Sequence, residues 1–223
     1  MRSNRSLALV AAATAVLALA GCGVGSSSAA AHVNGKPVPT SDVDLLARIT
    51  CTDLSNSQSV SGTNTRPISV VRGQAVQALI DADVADMMAR QRGTSYDKKQ
   101  LALTMGQVDN ALPQLPEADR QPARDLVERL VRAGLEVQEI GRQALVAEGQ
   151  AHPGSQAAVA KGQELQRAFE KKADIEVDPR YATARSATGD QMSIPVSSFA
   201  RSGAQSQPSQ LWSVQLPASQ RCG

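Results

Sequence analysis

Ala31-His32-Val33-Asn34-Gly35-Lys36-Pro37-Val38 places an Asn-Gly pair between two short apolar-bearing arms. Both central residues tolerate positive φ, which a two-residue turn with the twist of its flanking strands demands, so this stretch predicts a β-hairpin. Ser41 behind it predicts a helix N-cap, with Asp42 and Asp44 where they complement the helix dipole and Val43, Leu45, Leu46 and Ile49 as an apolar stripe. Far down the chain, Asp174-Ile175-Glu176-Val177-Asp178-Pro179-Arg180-Tyr181 alternates polar and apolar, the period of a half-exposed strand. Such a strand needs a partner, and the hairpin is the one the chain offers. The two segments therefore predict a small sheet that closes the beginning of a domain against its end.

Between them the sequence reads as helix. Val76, Ile80, Val84 and Met87 recur at helical spacing between Pro67 and Arg92, with Pro67 as opener and Gly93 as stop. Leu101, Met105, Val108 and Leu112 follow, until Pro113 and Pro116 break the pattern. The strongest periodicity is Leu126, Leu130, Ala133, Val137, Ile140 and Ala144, which predicts a helix from Pro122 to Glu148 flanked by one-turn ion pairs Asp125–Arg129 and Arg132–Glu136. Gly134 and Gly141 each weaken it by about 1 kcal/mol relative to alanine. A helix from Ser155 to Ala173 completes the set, and Thr52–Arg66 reads as a polar loop. The fold class is mainly α: about five helices over residues 31–181, with a small β-sheet formed by an N-terminal hairpin and a C-terminal strand. Residues 182–223 are rich in Ser, Gln, Ala and Pro and predict an irregular tail with one apolar island at Leu211-Trp212-Ser213-Val214.

Ahead of the domain, Arg2 and Arg5 precede an uncharged run from Leu7 to Ala20, which at 1.5 Å per residue spans about 21 Å, short of the roughly 30 Å bilayer core. The run ends in Leu19-Ala20-Gly21-Cys22, which resembles the lipobox of bacterial lipoproteins. The resemblance implies a signal peptide over residues 1–21, acylation of Cys22, a Gly/Ser/Ala tether over 22–30, and anchoring to the outer face of the cytoplasmic membrane, since two or three chains hold where one is marginal. The chain carries 23 Lys+Arg and 21 Asp+Glu; losing Arg2 and Arg5 with the signal leaves 21 of each, a neutral body with no basic platform for nucleic acid. Export puts Cys51 and Cys222 in an oxidising compartment, where an even pair reads as a disulfide, with free thiols as the alternative. His32 and His152 have no ligand-spaced partners, and neither a metal site nor a cofactor site is expected.

The order of hairpin, capped helix, long helices and closing strand resembles the N-terminal chaperone domain of SurA and its PrsA-like relatives. The likeness rests on Val33-Asn34-Gly35-Lys36-Pro37-Val38 with Ser41-Asp42-Val43-Asp44, on Ala78-Leu79-Ile80-Asp81 followed by Arg92-Gly93-Thr94-Ser95, and on Ile175-Glu176-Val177-Asp178-Pro179-Arg180-Tyr181, where Ala182 stands in place of a frequent glycine. It covers residues 31–181. The chain departs from the family in having no stretch suited to the parvulin isomerase domain, nor any Gly-x-Ser-x-Gly elbow or phosphate loop, so no catalytic residue is expected. The resemblance implies a holding chaperone for unfolded or nascent exported proteins, without isomerase activity. Met87, Met88 and Met105 are its candidate peptide-binding residues, because flexible thioethers suit promiscuous contacts, although methionines at helical spacing serve equally as core. The alternative is a structural adaptor that binds a single cell-envelope protein.

Overall fold

The computed structural model describes residues 28–61, 65–184 and 210–222. Strands β1 (Ala29–Val33) and β2 (Lys36–Pro39) form the hairpin, with Asn34 at φ 49° and Gly35 at φ 76° in the left-handed region that an Asn-Gly turn supplies. Strand β4 (Ile175–Val177) pairs antiparallel with β1, Ala31 opposite Val177 and Val33 opposite Ile175, giving the sheet order β2-β1-β4. Asn34 helps to seat the third strand: its N–H donates to the Asp174 carbonyl at 2.6 Å and its Oδ1 accepts from the Asp174 N–H at 2.8 Å. The pairing of β1 with β2 shifts register between Ala29 and Ala31. That bulge breaks the in–out alternation, so Ala29, Ala30 and Ala31 are all buried, and the Ala30 carbonyl accepts from the Asp178 N–H instead. Strand β1 thus includes Ala29 and Ala30, which the sequence reading assigns to the tether. Pro37 and Pro39 blunt the outer edge of β2.

Val177 is half-buried against the core. Val177→Asp places a charge on that face, and we expect a loss of about 2–3 kcal/mol. Chemical denaturation of the variant checks this, and an unchanged midpoint and slope would contradict the β1–β4 pairing.

The helices are α1 (Thr40–Ser61), α2 (Ile68–Arg92), α3 (Lys98–Ala111), α4 (Glu117–Ala147) and α5 (Ser155–Glu170). Helix α1 starts at Thr40, one residue before the expected cap Ser41, and continues through most of the segment read as a loop. Its polar residues survive inside the helix because their hydroxyls bond back one turn, Thr50 to Leu46, Thr52 to Arg48 and Ser55 to Cys51. Gly93 ends α2 at φ 62°, donating to the Arg90 carbonyl while Thr94 N–H donates to that of Ala89. Asp97 caps α3 through its side chain. Helix α4 begins five residues before Pro122, which sits just past the first turn, where it removes a single intrahelical bond.

The main core gathers Val33, Val38, Val76, Leu79, Ile80 and Leu126 beneath the sheet, and Tyr181, just past β4, closes it. A second cluster, with Met88, Ala133, Val137 and Ile140, lies farther along α2 and α4. Helix α5 lies directly on α4: a Cβ at Gly141 would overlap the Ala158 carbonyl and the Gly162 nitrogen, and one at Gly162 would overlap the Val137 carbonyl.

Of the tail expected to be irregular, residues 185–209 lie outside the described residues, and the described parts form regular structure. The turn after β4 runs on through Ala184, and Gln210–Gln215 forms a short helix, α6, which includes the Leu211-Trp212-Ser213-Val214 island. Arg221–Cys222 forms β5, paired with β3 (Arg66–Pro67). Composition alone did not signal this order, because it comes from a cross-link and a strand partner far away in the sequence.

Candidate functional site

Cys51, in α1, and Cys222, in β5, form the expected disulfide, with Cα atoms 4.8 Å apart and within the normal range for such a bridge. Cys222 is fully buried with Ala47 and Val71, and Leu54 and Ile68 pack around them. The acylation candidate Cys22 lies outside the described residues.

The three methionines are not brought together on an open surface. Met88 and Met105 are buried, at 1% and 4% exposure, and Met88 belongs to the second core cluster. Met87 is half-buried against the main core and its Sδ lies 3.4 Å from Asn34 Nδ2. Helix α3 packs chiefly on α4, so the groove expected between the end of α2 and Met105 is not formed by these side chains. Flexible thioethers fill interior gaps as readily as they line grooves, and here they fill the interior.

The densest polar chemistry lies at Asp83, in the middle of α2 and only 2% exposed. Its Oδ1 receives Lys36 Nζ from β2 at 2.5 Å and Arg129 Nη2 from α4 at 2.8 Å, while Arg129 Nη1 stands 3.6 Å from Asp42 Oδ2 in α1. One buried carboxylate thereby joins the hairpin to three helices. The one-turn ion pair Asp125–Arg129 expected from the sequence does not form: Arg129 turns inward, and Asp125 accepts from Gln121. The sequence held a signal for this. Asp83 and Val84 fall between Ile80 and Met87 on the apolar stripe of α2, and an acid on a buried stripe needs a cation from elsewhere.

Two turns beyond Arg129 on α4, Glu136 is also buried, and its Oε2 has no hydrogen-bond partner. Burial pushes its carboxyl above the ordinary glutamate range; Arg132, 3.8 Å away, opposes the shift, Asp86 adds to it and Arg90 opposes it. Burial likewise raises Asp81, against the hydrogen bond from Gln77. A carboxyl raised in the folded state contributes stability that is complete below its unfolded pKa and lost as pH rises through the folded value. Glu136→Gln should therefore raise the melting temperature at pH 7, with a smaller gain at pH 4, because burial favours the protonated form of the native carboxyl. Melts of both proteins at the two pH values check this, and an equal difference at both would overturn it.

Outside these points many surface charges pair locally or across helices, as in Arg48–Asp119, Arg124–Asp109 and Lys161–Glu148. His32 is half-buried in β1 opposite Pro37 and Glu176, and His152 is exposed between α4 and α5. Among the described residues no cluster of His, Cys, Asp and Glu is arranged to hold a metal, and no helix is long and apolar enough to cross a membrane. No family model matches the chain, and comparison with curated proteins and with solved structures likewise finds no match.

Proposed function

We propose that this chain is a membrane-tethered lipoprotein of the cell envelope, acylated at Cys22, whose helical body binds one envelope protein partner without prolyl isomerase activity. The observation that carries this reading is the character of the exposed surface. Among the described residues its exposed large apolar side chains are Leu103, Val146 and Val214, one each on α3, α4 and α6. The rest is largely polar and ion-paired. Broad capture of unfolded chains draws on a continuous apolar surface, whereas a specific partner is recognised by complementary charge and shape around a few apolar anchors.

The holding-chaperone reading keeps the support of the architecture, a hairpin closed by a distant strand over long helices, which is the plan that the resemblance to SurA and PrsA implies. A membrane pull-down with Cys22 intact, run alongside aggregation of an unfolded model protein and a proline isomerisation assay, separates the two. A saturable complex with a single protein and no suppression of aggregation supports the adaptor. Protection of unrelated unfolded proteins at modest excess moves the reading to the chaperone, isomerase activity refutes both, and a Cys22→Ser protein that stays equally membrane-bound refutes the acyl anchor.

A further inference from the structure

We propose that residues 210–222 form a strap locked by a single disulfide, and that reduction of Cys51–Cys222 opens the strap while the helical body stays folded. The strap consists of α6, a single 3-10 turn and β5. Its described ties to the rest of the chain include β5 pairing with β3, Arg66 opposite Cys222 and Pro67 opposite Arg221, packing of α6 against β3 and of β5 against α1 and α2, and the disulfide into α1. Its described buried side chains are Ser213, Leu216 and Cys222, and the hydrogen bond from Arg221 Nη1 to the Val214 carbonyl, at 2.8 Å, is internal to the strap.

Of the strap side chains that are described, none belongs to either of the two larger core clusters. The strap instead covers the third and smallest cluster, where Cys222 sits on Ala47 and Val71 beside Leu54 and Ile68. A two-residue strand pair and a six-residue helix are each too short to hold by themselves. Once the cross-link is cut, the strap is the segment whose opening costs least, because local opening free energies follow local burial.

The chemistry balances with an external dithiol. One of its thiolates attacks Cys51 Sγ, the less buried sulfur, and the S–S bond breaks with Cys222 leaving as a thiolate that takes up a proton. The second thiol then resolves the mixed disulfide, releasing the Cys51 thiol and leaving the dithiol oxidised. Opening exposes the Ala47–Val71 patch and the β3 edge, so thiol state controls an apolar surface that is hidden in the oxidised protein.

The test is amide hydrogen exchange on the full chain with and without dithiothreitol, followed by mass spectrometry of its peptides. Exchange across residues 210–222 should rise at least tenfold on reduction, while peptides from the centres of α2 and α4 keep their protection. A Cys222→Ser chain should give the reduced pattern without any reductant. A strap that stays protected after reduction, or α2 and α4 amides that lose protection together with it, would each overturn the proposal.

Discussion

Gly162→Ala should lower the stability of the protein by about 3 kcal/mol, a fall of roughly 6–12 °C in melting temperature for a chain of this size. The added methyl has no free volume to enter. It would meet the Val137 carbonyl and the Val137 side chain, and the facing Gly141 presents the same obstacle against Ala158 and Gly162. Because the obstructing atoms are mainly backbone, a change of rotamer cannot relieve them, and α4 and α5 must move apart and lose the contact between them. Gly141→Ala should do the same. Gly134, seven residues earlier on α4, has nothing within 4 Å of its notional Cβ, so Gly134→Ala should stabilise by about 0.5–1 kcal/mol through helix propensity alone. Three denaturation curves check the set, and a neutral Gly162→Ala would mean that the helices are not in close contact.

Arg129→Met should cost about 3–5 kcal/mol, the scale for removing one partner of a buried pair. Asp83 would keep Lys36, but the Lys36 side chain is 53% exposed against 24% for Arg129, so the carboxylate loses its better-buried cation. Lys36→Met should cost much less, on the order of 1 kcal/mol, because Arg129 remains. The double variant Asp83→Leu with Arg129→Met should recover most of the loss, since replacing a whole buried pair with apolar groups is often neutral. If the double variant were no more stable than Arg129→Met alone, uncompensated charge would not be the cause.

Where the decisive signal was local, the sequence was readable. Asn34-Gly35 specified its turn, Gly93 its helix stop, and the alternation at Ile175-Glu176-Val177 the closing strand. Where a distant partner decided the outcome, it was not. Thr52, Ser55 and Asn56 carry loop propensity, yet α1 runs on through them, tied by the disulfide at Cys51 and by Asn56 Nδ2 donating to Gln114 Oε1. Gly134 and Gly141 look identical in sequence, and only the position of α5 tells an open glycine from an obligatory one. Arg129 has an acid one turn away at Asp125 and still turns to Asp83, because an unpaired buried carboxylate costs more than an exposed ion pair gains. For the candidate site, the cysteine pair was legible from its number and setting, whereas the burial of Met88 and Met105 depends on helix packing that periodicity cannot rank.

The β1–β4 pairing also sets a timetable. As the chain emerges from its N-terminal end, residues 31–33 appear long before residues 175–177, so the hairpin stands at first as two strands without their third, a form that is marginal in water. Local helical turns can form as they emerge, but the sheet must wait for a loop closure that spans nearly the whole body. A chain interrupted before Ile175 therefore carries every long helix and still leaves the β1 edge open, with its unpaired amides and carbonyls available to any extended neighbour.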